Sequence, residues 1–118
     1  MITNSICVHT MSLTIELDAD IRRIIESVIE NDMAAPKVPK KRVPKLKRLW
    51  KCKEVHEFLY GHRVGYYKGL AEGIILERYK RQLSEQEDSE VFEIVHPQTK
   101  ILRKYFAYYK ETGTKKLN

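Results

Sequence analysis

Apolar and polar side chains alternate over residues 11–17, with Met11, Leu13, Ile15 and Leu17 on one side and Ser12, Thr14 and Glu16 on the other. A period of two predicts a strand with one buried face. The period then changes. Ile21, Ile24, Ile25, Val28, Ile29 and Met33 recur at helical spacing, opposite Arg22, Arg23, Glu26 and Glu30. This pattern predicts an amphipathic helix of about four turns. Asp18 or Asp20 is placed to cap it, because a short carboxylate accepts from the free amides of a first turn.

The pattern stops over residues 34–45, which contain Pro36, Pro39 and Pro44. Proline lacks an amide donor and pushes its predecessor to extended backbone, so an extended, polyproline-like linker is expected. Pro44 suits the first turn of a following helix. From Lys45 to Leu83 only glycines interrupt a helical reading. Leu46, Leu49, Trp50, Val55, Phe58, Leu59, Val64, Tyr66, Tyr67, Leu70, Ile74, Ile75 and Tyr79 are its apolar or aromatic positions. An unbroken helix there would span roughly 57 Å. That is long for a small domain, so either part of it packs on another chain or it breaks near Gly61.

Residues 84–90, SEQEDSE, read as an acidic connector. The run VFEIV at 91–95 is rich in β-branched and aromatic residues and is read as a short strand, with a hairpin through residues 96–99 as the alternative. Ile101, Leu102, Tyr105 and Tyr109 form a helical stripe after Pro97, so a helix is expected from about residue 98 to 111, ended by Gly113. The fold class expected is mainly α, with α+β as the alternative. One domain holds a strand and amphipathic helix (1–33), a basic linker (34–45), a long central helix (46–83) and an acidic connector with a strand and helix (84–118).

Residues 11–33, with MSLTIELD leading straight into a helix, resemble the ribbon–helix–helix DNA-binding family. In that family the strand presents polar or basic side chains to the DNA groove, and a second helix follows at once. Here Glu16 would repel phosphate, and AAPKVPKKRVPK replaces the second helix. These departures favour a strand and helix of another small α+β fold.

Length, composition and cysteine count narrow the class. A chain of 118 residues, 42% hydrophobic and 32% charged, fits one folded domain. No run approaches the ~18 apolar residues of a membrane span. The amino end lacks the basic start and apolar run of a secretory signal, so cytoplasmic or nuclear residence is expected. Met11 is an alternative start. Cys7 and Cys52 make no disulfide framework and are expected as free thiols.

The net charge is +6 but unevenly placed, at −4 over residues 1–36, +9 over 37–53, +1 over 54–83, −5 over 84–96 and +5 over 97–118. The +9 segment holds Lys37, Lys40, Lys41, Arg42, Lys45, Lys47, Arg48, Lys51 and Lys53. Lysine and arginine displace condensed counterions from a phosphate backbone, and the nearby Trp50 can stack on an unpaired base. No base-reading motif accompanies them, so nonspecific contact with DNA or RNA is expected. The alternatives are an acidic protein surface, the chain's own residues 84–90, a nuclear import signal or a solvated linker.

Glycine stands at every fourth position of the central helix, as Gly61, Gly65, Gly69 and Gly73. Each costs ~1 kcal/mol against alanine, so close packing that offsets about 4 kcal/mol is expected. Such a zipper-like groove admits a second backbone, as small-residue motifs do in membranes. His62, Arg63, Lys68, Glu72 and Glu77 flank it, so its setting is aqueous. Packing between protomers or on a partner, with Tyr66 at the interface, is favoured over filling by the chain's own first or last helix. A phosphate-cradling loop would need glycine spacings that are absent. YGHRVGYYKGLAEG, residues 60–73, looks like the glycine-every-fourth helices of flagellar export stator proteins and of eukaryotic adaptors with such repeats, which implies helix packing alone.

Cys7, His9, Cys52 and His56 could in principle form a tetrahedral zinc set, but their spacing matches no common finger. A buried Cys52 and a satisfied His56 are the expectation, with no metal and no cofactor. No catalytic motif appears. Tyr105, Phe106, Tyr108 and Tyr109 are read as core and interface. The function expected is a non-enzymatic, nucleic-acid-associated component of a viral, chromatin-like or ribonucleoprotein assembly. The alternative is a protein–protein adaptor or accessory subunit with the arm on an acidic partner.

Overall fold

The computed structural model describes residues 15–111. Among these the protein is helical, with α1 (Ala19–Ala34), α2 (Val43–Trp50), α3 (Val55–Tyr79), α4 (Glu85–Val95) and α5 (Thr99–Phe106). Short 3₁₀ turns cover Lys40–Arg42, His96–Gln98 and Ala107–Tyr109. Helix α3 is the spine. Its inward stripe, Tyr67, Ala71 and Ile75, is fully buried. That stripe packs with Leu17, Ile21, Ile25 and Ile29 from the α1 side, and with Val91, Ile94, Val95, Leu102 and Phe106 of α4 and α5.

Polar contacts set the directions of the helices. At the start of α1, Asp18 and Asp20 receive Arg78 of α3, and the Tyr79 hydroxyl donates to Asp18 at 2.7 Å. At its end, Asp32 accepts from Tyr67 at 2.9 Å and from Arg63 at 3.3 Å. Helix α1 therefore runs antiparallel to α3. Lys68 meets Asp88 of α4 at 3.3 Å, and Arg103 of α5 binds Glu57 at 3.0 Å. The α4–α5 arm thus also runs back along α3.

Two carboxylates lie inside this packing. Glu87 is wholly buried and takes both Arg81 guanidinium nitrogens, at 2.7 and 3.1 Å. Burial alone raises its pKa, but the hydrogen bonds from Arg81 and from the Ser84 amide together prevail and hold the carboxyl below its usual value. Glu90 accepts from the Leu17 amide, Arg22 and Gln86.

Several expectations are corrected. Residues 91–95 are helical rather than a strand, as part of α4, which Ser84 and Glu87 open with a reciprocal capping box. Residues 84–90 are thus mostly the first turns of a helix rather than a connector. The central helix does not run unbroken from 46 to 83 and does not break at Gly61. It breaks at Lys51, whose φ of 53° is left-handed and ends α2. Asp18 stands at the N-cap of α1 without a side-chain capping bond, because its carboxylate is taken by Arg78 and Tyr79. Residues 15–18 carry no regular structure, and residues 11–14 of the expected strand lie outside the described residues, as do Cys7 and His9. No strand occurs among the described residues. The expected C-terminal helix is α5 with its following 3₁₀ turn.

Candidate nucleic-acid interface

The basic segment divides into a strap and a helical hairpin. Residues 35–39 are the strap and lie on the C-terminal aromatic row. The Val38 amide donates to the Tyr109 hydroxyl at 2.7 Å, and the Tyr105 hydroxyl donates to the Ala35 carbonyl at 3.2 Å. The Lys37 ammonium sits 4.6 Å from the Tyr105 ring centre and 5.4 Å from that of Tyr108, which Lys40 approaches to 4.7 Å. These are cation–π distances. The extended linker expected over residues 34–45 is thus confined to 35–39 and is fastened down there, since Lys40–Arg42 form a 3₁₀ turn and α2 begins at Val43. Tyr109 and Phe106 are core, as expected of that row.

Helix α2 begins where Pro44 fills a first-turn position with no amide to waste. Val43 is buried and Leu46 is partly buried against the core, which turns Lys45, Arg48 and Leu49 outward. Lys47 is the one cation of the segment with an ion pair among the described residues, to Glu111 at 2.9 Å. Among the described residues Lys41, Arg42, Lys45, Arg48, Lys51 and Lys53 form none. All six are exposed.

The acidic residues 84–90 do not neutralise this surface. Glu87 is held by Arg81, Glu90 by Arg22 and Asp88 by Lys68. Trp50 ends α2 with 58% of its surface exposed. Its ring stacks on Phe58 at a centroid distance of 6.0 Å with planes 22° apart, and Phe58 stacks on His62 at 6.2 Å and 22°. Phe58 and His62 were not singled out by sequence reasoning for this purpose. Their four-residue spacing was legible as one helix face, but the packing of Trp50 on Phe58 depends on the unpredicted turn at 51–54.

Gly61, Gly65, Gly69 and Gly73 all lie in α3 and face outward, away from the buried stripe. A Cβ built on any of them would meet nothing within 4 Å. Neither the first nor the last helix fills the row, so filling from within the chain is excluded among the described residues. Tyr66, 44% exposed, lies beside it under the Arg63 guanidinium at 5.2 Å.

Against expectation Cys52 is half-buried rather than buried, as a free thiol, and the half-buried His56 is not satisfied, since its Nδ1 has no hydrogen bond among the described residues. Glu54 and Glu57 each approach the His56 ring to 3.7 Å. No group of three metal-ligating side chains forms among the described residues. No described helix is long and apolar enough to cross a membrane. Compared with known proteins, the chain matches no family model, no curated protein and no solved structure.

Proposed function

We propose that this is a non-enzymatic, nucleic-acid-associated protein that grips phosphate backbone with residues 37–53 and assembles through the bare glycine face of α3. The observation that carries the reading is the set of six exposed cations on α2 and its flanking turns that form no ion pair among the described residues, while Glu87, Asp88 and Glu90 are paired with other cations. Release of condensed counterions from the phosphate backbone drives the contact. No base-reading element accompanies them, so sequence preference is expected to be weak.

The test is salt-dependent binding to arbitrary DNA or RNA, followed by fluorescence anisotropy of a labelled oligonucleotide. With six phosphate contacts, log K should fall with log salt at a slope of about −4 to −5. The double variant Lys45→Gln, Arg48→Gln should flatten that slope by about 1 to 2. Absence of binding at low salt overturns the reading. One observation favours a second reading, an adaptor docking on an acidic protein. Leu49, 58% exposed, stands between the α2 cations, and an apolar anchor within a basic patch suits a polypeptide.

A further inference from the structure

We infer that the nucleic acid bound is single-stranded, with unpaired bases continuing the ring ladder begun by Trp50, Phe58 and His62. This rests on the nucleic-acid reading above and names its substrate class. A duplex offers a protein its phosphates and groove edges, and the base faces are closed by stacking. A single strand offers both phosphates and open base faces, so its binding sites pair a basic track with exposed aromatic rings.

Both parts are present here. Trp50 and Phe58, then Phe58 and His62, stack with planes 22° apart, so the ladder has a common stacking direction. Its outer member, Trp50, is 58% exposed, an unusual setting for the chain's one tryptophan. Lys51 and Lys53 adjoin it in the turn, and neither is ion-paired among the described residues. Gly61 and Gly65 share the outward face of α3 with Phe58 and His62, and no side chain rises from either. A base beside the ladder therefore meets flat backbone.

Two carboxylates stand nearby. Glu57 is taken by Arg103 through both its oxygens, at 3.0 and 3.2 Å. Among the described residues Glu54 is bound by no lysine or arginine, and it lies 3.7 Å from His56. It opposes a phosphate, so Glu54→Gln should tighten binding.

The experiment titrates the full chain at low salt with oligo(dT) and oligo(rU) of about 20 nucleotides, a duplex of matching length and polyglutamate, reading Trp50 emission together with anisotropy. Stacking quenches indole emission, and the chain has one tryptophan, so the signal belongs to this site. Both single strands should quench. The duplex should bind through charge with little quenching. Trp50→Leu should weaken single-strand binding by about 5- to 100-fold and leave duplex binding unchanged, while Trp50→Phe retains most of it. Equal affinity for single strand and duplex with no quenching overturns the inference and leaves the nucleic-acid reading standing. No binding to any nucleic acid overturns both. Polyglutamate binding as tightly as the oligonucleotides, with Trp50→Leu silent, overturns the inference in favour of an acidic protein partner.

Discussion

Glu87 concentrates the energetics of single residues. It is the fully buried carboxylate of α4, and it closes two circuits, one to Arg81 and one to Ser84. Glu87→Gln removes the charge, leaves Arg81 without its partner and should destabilise the fold by roughly 2–3 kcal/mol, measured from urea unfolding. The same residue gives the stability a pH dependence. Its folded pKa lies below the ordinary glutamate value of 4.5. A depressed folded pKa means that the stabilisation is fully present above that ordinary value and is lost as pH falls through the folded one. Urea midpoints should thus drop on acidification below about pH 4.5, and part of that drop should vanish in Glu87→Gln. Lys51 and Lys80 show another residue-scale choice. Both end helices in the left-handed region, where a non-glycine residue costs about 1–2 kcal/mol.

At the scale of elements, α4 shows two sequence signals in conflict. VFEIV has the β-branched and aromatic content of a strand, yet S-x-x-E at 84–87 is a capping-box signature, and Val91, Ile94 and Val95 fall on one helical face with Glu87 and Glu90. Burial of that face on α3 and α1 decides the outcome. Ser84 ties the cap to the rest of the molecule, since its hydroxyl also reaches the Ile15 carbonyl at 3.3 Å. Ser84→Ala should therefore cost about 1–2 kcal/mol, read as a lower urea midpoint with an unchanged slope. Helix α3 presents the complementary case. Its four glycines weaken it without breaking it, because Tyr67, Ala71 and Ile75 anchor the opposite face.

For the whole molecule, the bare glycine row separates monomer stability from assembly. Space around each glycine is open, so Gly65→Ala should stabilise the monomer by about 1 kcal/mol in thermal unfolding. If the row is an interface, a larger side chain there should hold a second backbone away. Gly65→Leu is then expected to fold normally while showing a smaller mass than the natural chain in sedimentation equilibrium. An equal mass for both chains would remove the glycine face from the proposed function.

The sequence by itself determined the mainly helical character, the amphipathic α1, the place of Pro44 in the first turn of a helix, the stripe of α5 and the isolated basic segment. Each is a local matter of periodicity, proline chemistry or charge count. Only the tertiary structure decided what those elements meet. The turn at Lys51 carries no glycine or proline to announce it, and it brings Trp50 onto Phe58 across the break. The strap over Tyr105, Tyr108 and Tyr109 joins residues some 70 positions apart. Pairing of Glu87, Glu90 and Asp88 with Arg81, Arg22 and Lys68, which keeps those carboxylates off the basic segment, likewise depends on how α1, α3 and α4 pack, because charge count alone does not say which carboxylate reaches which cation.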